Sequence, residues 1–235
     1  MKKQIDLSPR LRAVADLVPV GARLADIGTD HAYLPAALLL EGKIPSAIAA
    51  DLREGPLSRA RLTAAEYGLA DHISFRLCDG LRGISPEETD AVAIAGMGGE
   101  TIAAILEAAE WTRTRDIPLI LQPMSSMSDL RLWLYDHGYQ ILKERLVREG
   151  DTIYTVLHVL NGKMEELSPA ELCAGKNTHD PLRGEWLDRW IDKTTRALTG
   201  IAQSKQANKA ERMAELEQVL AGLQHMKEEW STWQL

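Results

Sequence analysis

The chain has 235 residues, of which 45% are hydrophobic and 26% charged; this suits one full α/β domain with a smaller appendage and excludes disorder and collagen-like repeats. A formal net charge of −7 argues against indiscriminate DNA coating and leaves room for a local basic face that binds one shaped RNA. Cys78 and Cys173 stand far apart, without metal-site spacing or disulfide density, so a reducing cytoplasm and no resident metal are expected.

The opening Met1-Lys2-Lys3-Gln4-Ile5-Asp6 lacks an apolar signal core, and the longest apolar run, Tyr33 to Leu40, is too short to span a bilayer, so no membrane role is expected. Ser8-Pro9 opens a helix: serine caps the free backbone N–H groups, proline suits the first helical position, and Leu11, Val14, Ala15 and Val18 form one apolar stripe. Two β–α units follow, with strands at Arg23–Gly28 and Ala47–Leu52 and helices at Tyr33–Glu41 and Pro56–Tyr67. Ile73–Asp79, Ala91–Ala95 and Leu119–Gln122 read as further strands, with helices near Glu100–Glu110 and Ser128–Asp136. Alternation of this kind builds a mainly parallel sheet covered on both faces. Gln140–Val147 and Ile153–Leu160 are joined only by Arg148-Glu149-Gly150-Asp151, which predicts an antiparallel hairpin on the sheet edge. A seven-stranded sheet ending this way is typical of Rossmann-like class I methyltransferases.

After Gly162 the strands stop, and a loop containing Pro169, Gly175, Asn177, Pro181 and Gly184 leads into two long helical stretches. The predicted domains are therefore 1–162 and 163–235, the second a pair of antiparallel, coiled-coil-like helices. Trp186, Trp190, Ile191, Thr194, Leu198 and Ile201 recur at helical spacing, as do Met213, Leu216, Val219, Leu220, Leu223 and Met226. At that spacing the two tryptophans read as packing residues rather than base-stacking ones.

The strongest chemical signal is Ala25-Asp26-Ile27-Gly28-Thr29-Asp30-His31 at the end of the first strand. A dinucleotide fold needs three closely spaced glycines so that backbone can approach a pyrophosphate; this loop has one glycine and two carboxylates. It suits a cationic sulfonium and an amino-acid ammonium instead, with Asp26 or its neighbours offering charge-assisted hydrogen bonds. Asp51, at the end of the second strand, stands where an acidic residue grips both ribose hydroxyls. Asp79 and Gly80 end the third strand, where a carboxylate accepts an adenine amino proton and glycine admits the ring edge. Taken singly, each aspartate is equally a helix cap or a solvated loop residue. Ala95-Gly96-Met97-Gly98-Gly99 either lets a flat substrate or methyl donor lie on backbone, with Met97 and Gly98 on the substrate side, or is a strained turn before the next helix.

These residues together resemble the bacterial tRNA (adenine-22-N1)-methyltransferases, the TrmK family. The resemblance runs over most of the chain, through Leu7-Ser8-Pro9-Arg10-Leu11, Asp26-Ile27-Gly28-Thr29-Asp30-His31-Ala32-Tyr33-Leu34-Pro35, Asp51 with Gly55-Pro56, Cys78-Asp79-Gly80-Leu81, Ala95-Gly96-Met97-Gly98-Gly99 and Leu121-Gln122-Pro123. It implies a methyltransferase domain followed by a helical one, S-adenosylmethionine as cofactor, and tRNA as partner. It also implies cofactor contacts at Asp26, Gly28, Asp51, Asp79, Gly80 and Gly96, and a substrate-side role for Asp30, His31 and Tyr33. One position departs: Met124 stands where a polar residue such as asparagine is expected.

Adenine N1 already carries a lone pair, so it attacks a methyl group in line without first losing a proton, and positioning dominates. A carboxylate beside the N6 amino group stabilises the developing positive charge or takes the amino proton afterwards; Asp30 is the candidate catalytic residue. His31 either orients it or makes a structural hydrogen bond. Tyr33 and Tyr154 either stack on the base or belong to the core. Arg10, Arg12, Arg53, Arg59, Arg61, Arg131, Arg145 and Arg148 are candidates for a basic rim that meets phosphate. A small-metabolite methyltransferase and a non-catalytic RNA-binding scaffold are the competing classes, and oligomeric state is left open.

Overall fold

The computed structural model describes residues 4–176, 179–203 and 208–232. Asn177 of the predicted inter-domain loop lies outside them. The chain divides into two compact units, Met1–Met164 and Glu165–Leu235.

In the first unit, helix α1 (Pro9–Leu17) precedes β1 (Leu24–Ile27), α2 (Tyr33–Leu40), β2 (Ala47–Asp51), α3 (Glu54–Tyr67), β3 (Ile73–Leu77) and β4 (Ala91–Gly98). There follow α4 (Gly99–Glu107), α5 (Trp111–Thr114), β5 (Leu119–Ser125), α6 (Met127–Asp136), β6 (Tyr139–Glu149) and β7 (Thr152–Asn161). The strands form a seven-stranded sheet in the order β3-β2-β1-β4-β5-β7-β6. Strands β1 to β5 are parallel, β7 runs antiparallel to β5, and β6 is the outer strand of the closing hairpin. The strand order turns back between β1 and β4, and the crevice beyond the carboxyl ends at such a switch point is where open α/β sheets bind ligands.

Helices cover both faces because the central strands are apolar on both. Ala25, Ile27, Val92, Ile94, Leu119 and Leu121 pack with Ile102, Leu106, Leu130 and Leu134 from α4 and α6. Their neighbours Leu24, Ala91, Ala93 and Ile120 face Val14 of α1 and Leu34 and Leu38 of α2. The strictly alternating assignment is what a period of two along each strand dictates. No helix among the described residues is long and apolar enough to cross a membrane.

In this unit the end of β4 and the place of Arg131 differ from the sequence reading, and the short helix α5 adds to it. Strand β4 does not end at Ala95; it continues through the glycine cluster to Gly98, paired to β5 with register shifts around Met97 (Met97↔Pro123, Gly98↔Ser125). Of the two readings of this cluster, the strained turn gives way to an irregular strand end. Arg131, assigned to the basic rim, is fully buried on α6, where its guanidinium donates to Glu144 at 2.8 Å. A charge so enclosed is retained by its partner and contributes to packing, not to a phosphate-facing surface.

Gly99, the first residue of α4, sits under the loop after β5. A Cβ there would lie 3.0 Å from the Ser125 carbonyl and 3.1 Å from the Leu130 Cβ, and closer still to the Ser126 carbonyl. Two of these neighbours are backbone and cannot rotate away, so Gly99→Ala is expected to destabilise the protein by about 1–3 kcal/mol, the ordinary cost of overpacking. A urea midpoint equal to that of the unsubstituted protein would show instead that the loop yields freely.

The second unit comprises α7 (Pro169–Ala174), α8 (Arg183–Ala202) and α9 (Lys209–Thr232). Helix α7 lies in what the sequence reading left as loop; Ser168 caps it, accepting from Glu171 N–H while Glu171 reaches back to Ser168 N–H. Helices α8 and α9 run antiparallel: Lys227 near the end of α9 reaches Gly184 O and Asp188 at the start of α8, at 2.8 and 2.7 Å. Trp186 and Trp190 pack edge to face at 5.8 Å within a cluster that includes Leu187, Val219, Leu223 and Met226, which is the packing role expected from their spacing.

Candidate active site

Five loops at the carboxyl edge of the sheet build the site, and the most buried charge lies in the first. Asp26, on β1, is flanked by Ala49 of β2 and Ala93 of β4, leaving 7% of its surface exposed. Burial raises its carboxyl to about 6; the nearby Thr29 hydroxyl draws it back down, and the charge of Asp51 adds to the rise. Gly28 and Thr29 N–H both donate to Ala50 O, at 2.8 and 3.0 Å, pinning the loop to β2. Gly28 takes φ +77°, and a Cβ on it would overlap the Met97 methyl, so the β1 and β4 loops meet face to face across the switch point.

The other cofactor candidates ring this centre. Asp51 ends β2 with its side chain 11% exposed, and its Oδ1 accepts the Arg53 N–H at 2.8 Å. Asp79 is far more open, at 62%, and stands 3.8 Å from Arg82. Gly80 follows with φ +57°, and a Cβ there would press on Ile105, so backbone and packing alone already call for glycine. Gly96, at φ +80°, donates its N–H to Gln122 Oε1 at 3.1 Å. Gly98 caps α4 beside the Ser125 hydroxyl. The donor set fits S-adenosylmethionine on the structure's own terms: two carboxylates of low exposure, side-chain-free backbone between them, and a buried Thr29 hydroxyl without a partner of normal hydrogen-bond geometry. Tyr33, Leu52, Leu77 and Met124 are exposed near the carboxyl ends of β1, β2, β3 and β5, an apolar rim suited to flat rings.

Asp30, His31 and Tyr33 form a second group. Asp30 Oδ1 accepts from Arg59 Nε at 3.1 Å and from its Nη2, while His31 Nε2 lies 3.5 Å from Oδ2. The His31 ring stacks on Tyr33, centroids 5.1 Å apart and 4° from parallel. Between them Ala32 is buried with φ +53°, a left-handed conformation that costs an alanine roughly 1 kcal/mol or more. Strain of this kind at a loop-to-helix junction is characteristic of functional sites.

The third group was missed in part. Arg10, on the first turn of α1, places its guanidinium 5.7 Å from the centre of the Tyr154 ring, and its Nη1 donates to Gln122 Oε1 at 2.6 Å. The Arg10 N–H donates to Glu149 Oε2 at 3.0 Å, and the Ser8 hydroxyl with this N–H holds the Glu149 carboxyl below the usual range. The sequence offers no local signal for the roles of Gln122 and Arg59, because their contacts join residues 112 and 29 positions apart. Met124, the departure noted above, is 48% exposed, with its sulfur 3.6 Å from Gln122 Nε2.

Comparison with known proteins bears on this arrangement. Residues 7–157 match a family described as "Methyltransferase domain". The chain is 44% identical over 154 residues to the tRNA (adenine(22)-N(1))-methyltransferase of Bacillus subtilis, a match spanning 66% of this chain and 65% of that protein. The crystal structure of the B. subtilis m1A22 tRNA methyltransferase TrmK is similar with TM-score 0.84 and 33% identity, over 95% of this chain and 100% of that one. A Streptococcus pneumoniae structure solved with S-adenosyl-L-methionine is similar with TM-score 0.78 and 35% identity, over 92% and 100%.

Proposed function

The chain belongs to the methyltransferase-domain family and, within it, to the tRNA (adenine-22-N1)-methyltransferases, and from that premise we propose that it transfers the methyl group of S-adenosylmethionine to N1 of an adenine in tRNA, at adenosine 22, giving 1-methyladenosine. The observation that carries the reading is the end of β1, where the buried Asp26 is followed by a left-handed Gly28 that faces Met97 across the switch point.

When bound, S-adenosylmethionine supplies an activated methyl group. The chain's own residues do the rest. Asp26 takes the cofactor's ammonium and Asp51 its ribose hydroxyls, through charge-assisted hydrogen bonds. Gly28 and Gly96 let ligand lie on backbone, and Asp79 and Gly80 border the adenine. Met97 and Gly98 line the substrate side. Asp30 sits beside the N6 amino group of the target base, where its carboxylate stabilises the positive charge that N1-methylation leaves on the ring, or accepts the amino proton. Arg59 and His31 hold that carboxylate from either side. Tyr33, backed by His31, offers a flat face to a base that must leave its stack to be reached, at a cost of a few kcal/mol.

The test is methyl transfer from labelled S-adenosylmethionine to unmodified bulk tRNA, with product nucleosides identified by mass spectrometry. The expected product is 1-methyladenosine; cofactor binding without labelled tRNA would overturn the proposal.

A further inference from the structure

Gln122 is fully buried in the middle of β5, yet its carboxamide is spent on contacts around the site. Its Oε1 accepts from Arg10 Nη1 at 2.6 Å and from the Gly96 N–H at 3.1 Å, while Nε2 donates to Pro123 O at 2.8 Å. One carboxamide thus joins α1, the glycine end of β4 and the backbone of β5 itself. Its orientation is unambiguous, because the guanidinium and the amide N–H both require an acceptor and the carbonyl requires a donor. The Tyr154 ring, 5.7 Å from the Arg10 guanidinium carbon, supports the same cation from another side.

Long arginine side chains lose much rotamer freedom when they bind phosphate, and a guanidinium fixed in advance loses less. We propose that Gln122 is a positioning residue for RNA binding: it holds the Arg10 guanidinium on Tyr154 at the mouth of the crevice, with one edge of the fork committed to the carboxamide and the other presented to a phosphate of the RNA substrate. This rests on the RNA-methylating function proposed above. Gln122 does not touch RNA; it acts through Arg10, and the same oxygen that fixes Arg10 fixes the Gly96 turn beside the methyl donor's place.

The experiment is a double-mutant cycle on RNA affinity, with wild type, Gln122→Met, Arg10→Met and the double variant, measured against unmodified tRNA at several salt concentrations. Gln122→Met is expected to raise the Kd for tRNA about 10-fold or more, the scale of losing a hydrogen bond to a charged group, and to flatten the salt dependence as Arg10→Met does. In the Arg10→Met background the same change at position 122 is expected to have no further effect on Kd. Additive losses, or a Gln122→Met salt slope equal to that of wild type, overturn the inference. If Gln122→Met does not fold, Gln122→Asn serves, since it keeps the carboxamide chemistry but draws it back from the guanidinium by one methylene; its effect on tRNA affinity must likewise vanish with Arg10→Met. A wild-type protein that neither binds nor methylates tRNA defeats the proposed function itself, whereas one that methylates tRNA with additive effects at these positions defeats only the role of Gln122.

Discussion

Asp26→Asn is expected to make the ligand-free protein more stable at pH 7.5 and a poorer binder of its cofactor. The carboxyl is raised to about 6 chiefly by burial, so at neutral pH the folded protein carries a charge that the unfolded chain holds more comfortably in water. The sign follows from linkage. Between the unfolded value near 4 and the folded value near 6, the folded state binds the extra proton, so stability falls as pH rises through this window and the whole penalty is present above it. A shift of about two units corresponds to about 2–3 kcal/mol, and asparagine removes it; an increase in melting temperature of several degrees at pH 7.5, absent at pH 4, is expected. S-Adenosylmethionine affinity, measured by calorimetry, is expected to fall about 10- to 100-fold, because a neutral amide replaces the carboxylate proposed to take the cofactor's ammonium. In the unsubstituted protein, affinity should weaken as pH drops below about 6, when the site takes up a proton that binding must expel. A variant less stable than wild type at pH 7.5 would show that the buried charge is better compensated than its surroundings suggest.

Asp30→Asn is expected to leave cofactor affinity and the melting temperature nearly unchanged while slowing single-turnover methyl transfer with saturating tRNA by about 10²- to 10⁴-fold, the usual worth of a positioned acid–base group. The separation is expected because Asp30 is exposed and outside the core, its contacts being Arg59 and His31 on the surface. Exposed ion pairs of this kind contribute little to stability. Unchanged single-turnover rates would remove Asp30 from the chemistry and leave positioning alone to account for it.

How much of this was legible in the sequence depends on the range of the interaction. The first strands announced themselves as short runs with Asp26, Asp51 and Asp79 at or just beyond their carboxyl ends, since a strand buried on both faces needs no alternation and a strand end at a switch point gathers polar residues. The closing hairpin was readable because four residues are too few for a crossover. The extension of β4 was not: Gly96 and Gly98 carry a turn composition, and only the continuation of β4 alongside β5 makes them strand. Helix α7 was missed because it is six residues long, below the length at which periodicity speaks, although Ser168-Pro169 with Glu171 is a capping signal. The partners of Asp30 and the hub at Gln122 are tertiary facts; no window of the sequence holds both ends of either contact.

The three anchors of Arg10 have a consequence for the order in which the protein becomes competent during synthesis. Asp26, Gly28, Asp51, Asp79, Gly80 and Gly96 have all been made before residue 100, whereas Arg10 waits for Gln122, then for Glu149, and last for Tyr154. A nascent chain therefore holds every residue assigned to the methyl donor well before it can fix the arginine assigned to RNA. Because domains tend to fold as units as they emerge from the ribosome, the closing hairpin works as a late latch: a chain released short of residue 149 lacks two of the three contacts of Arg10 and the strand that pairs with β5.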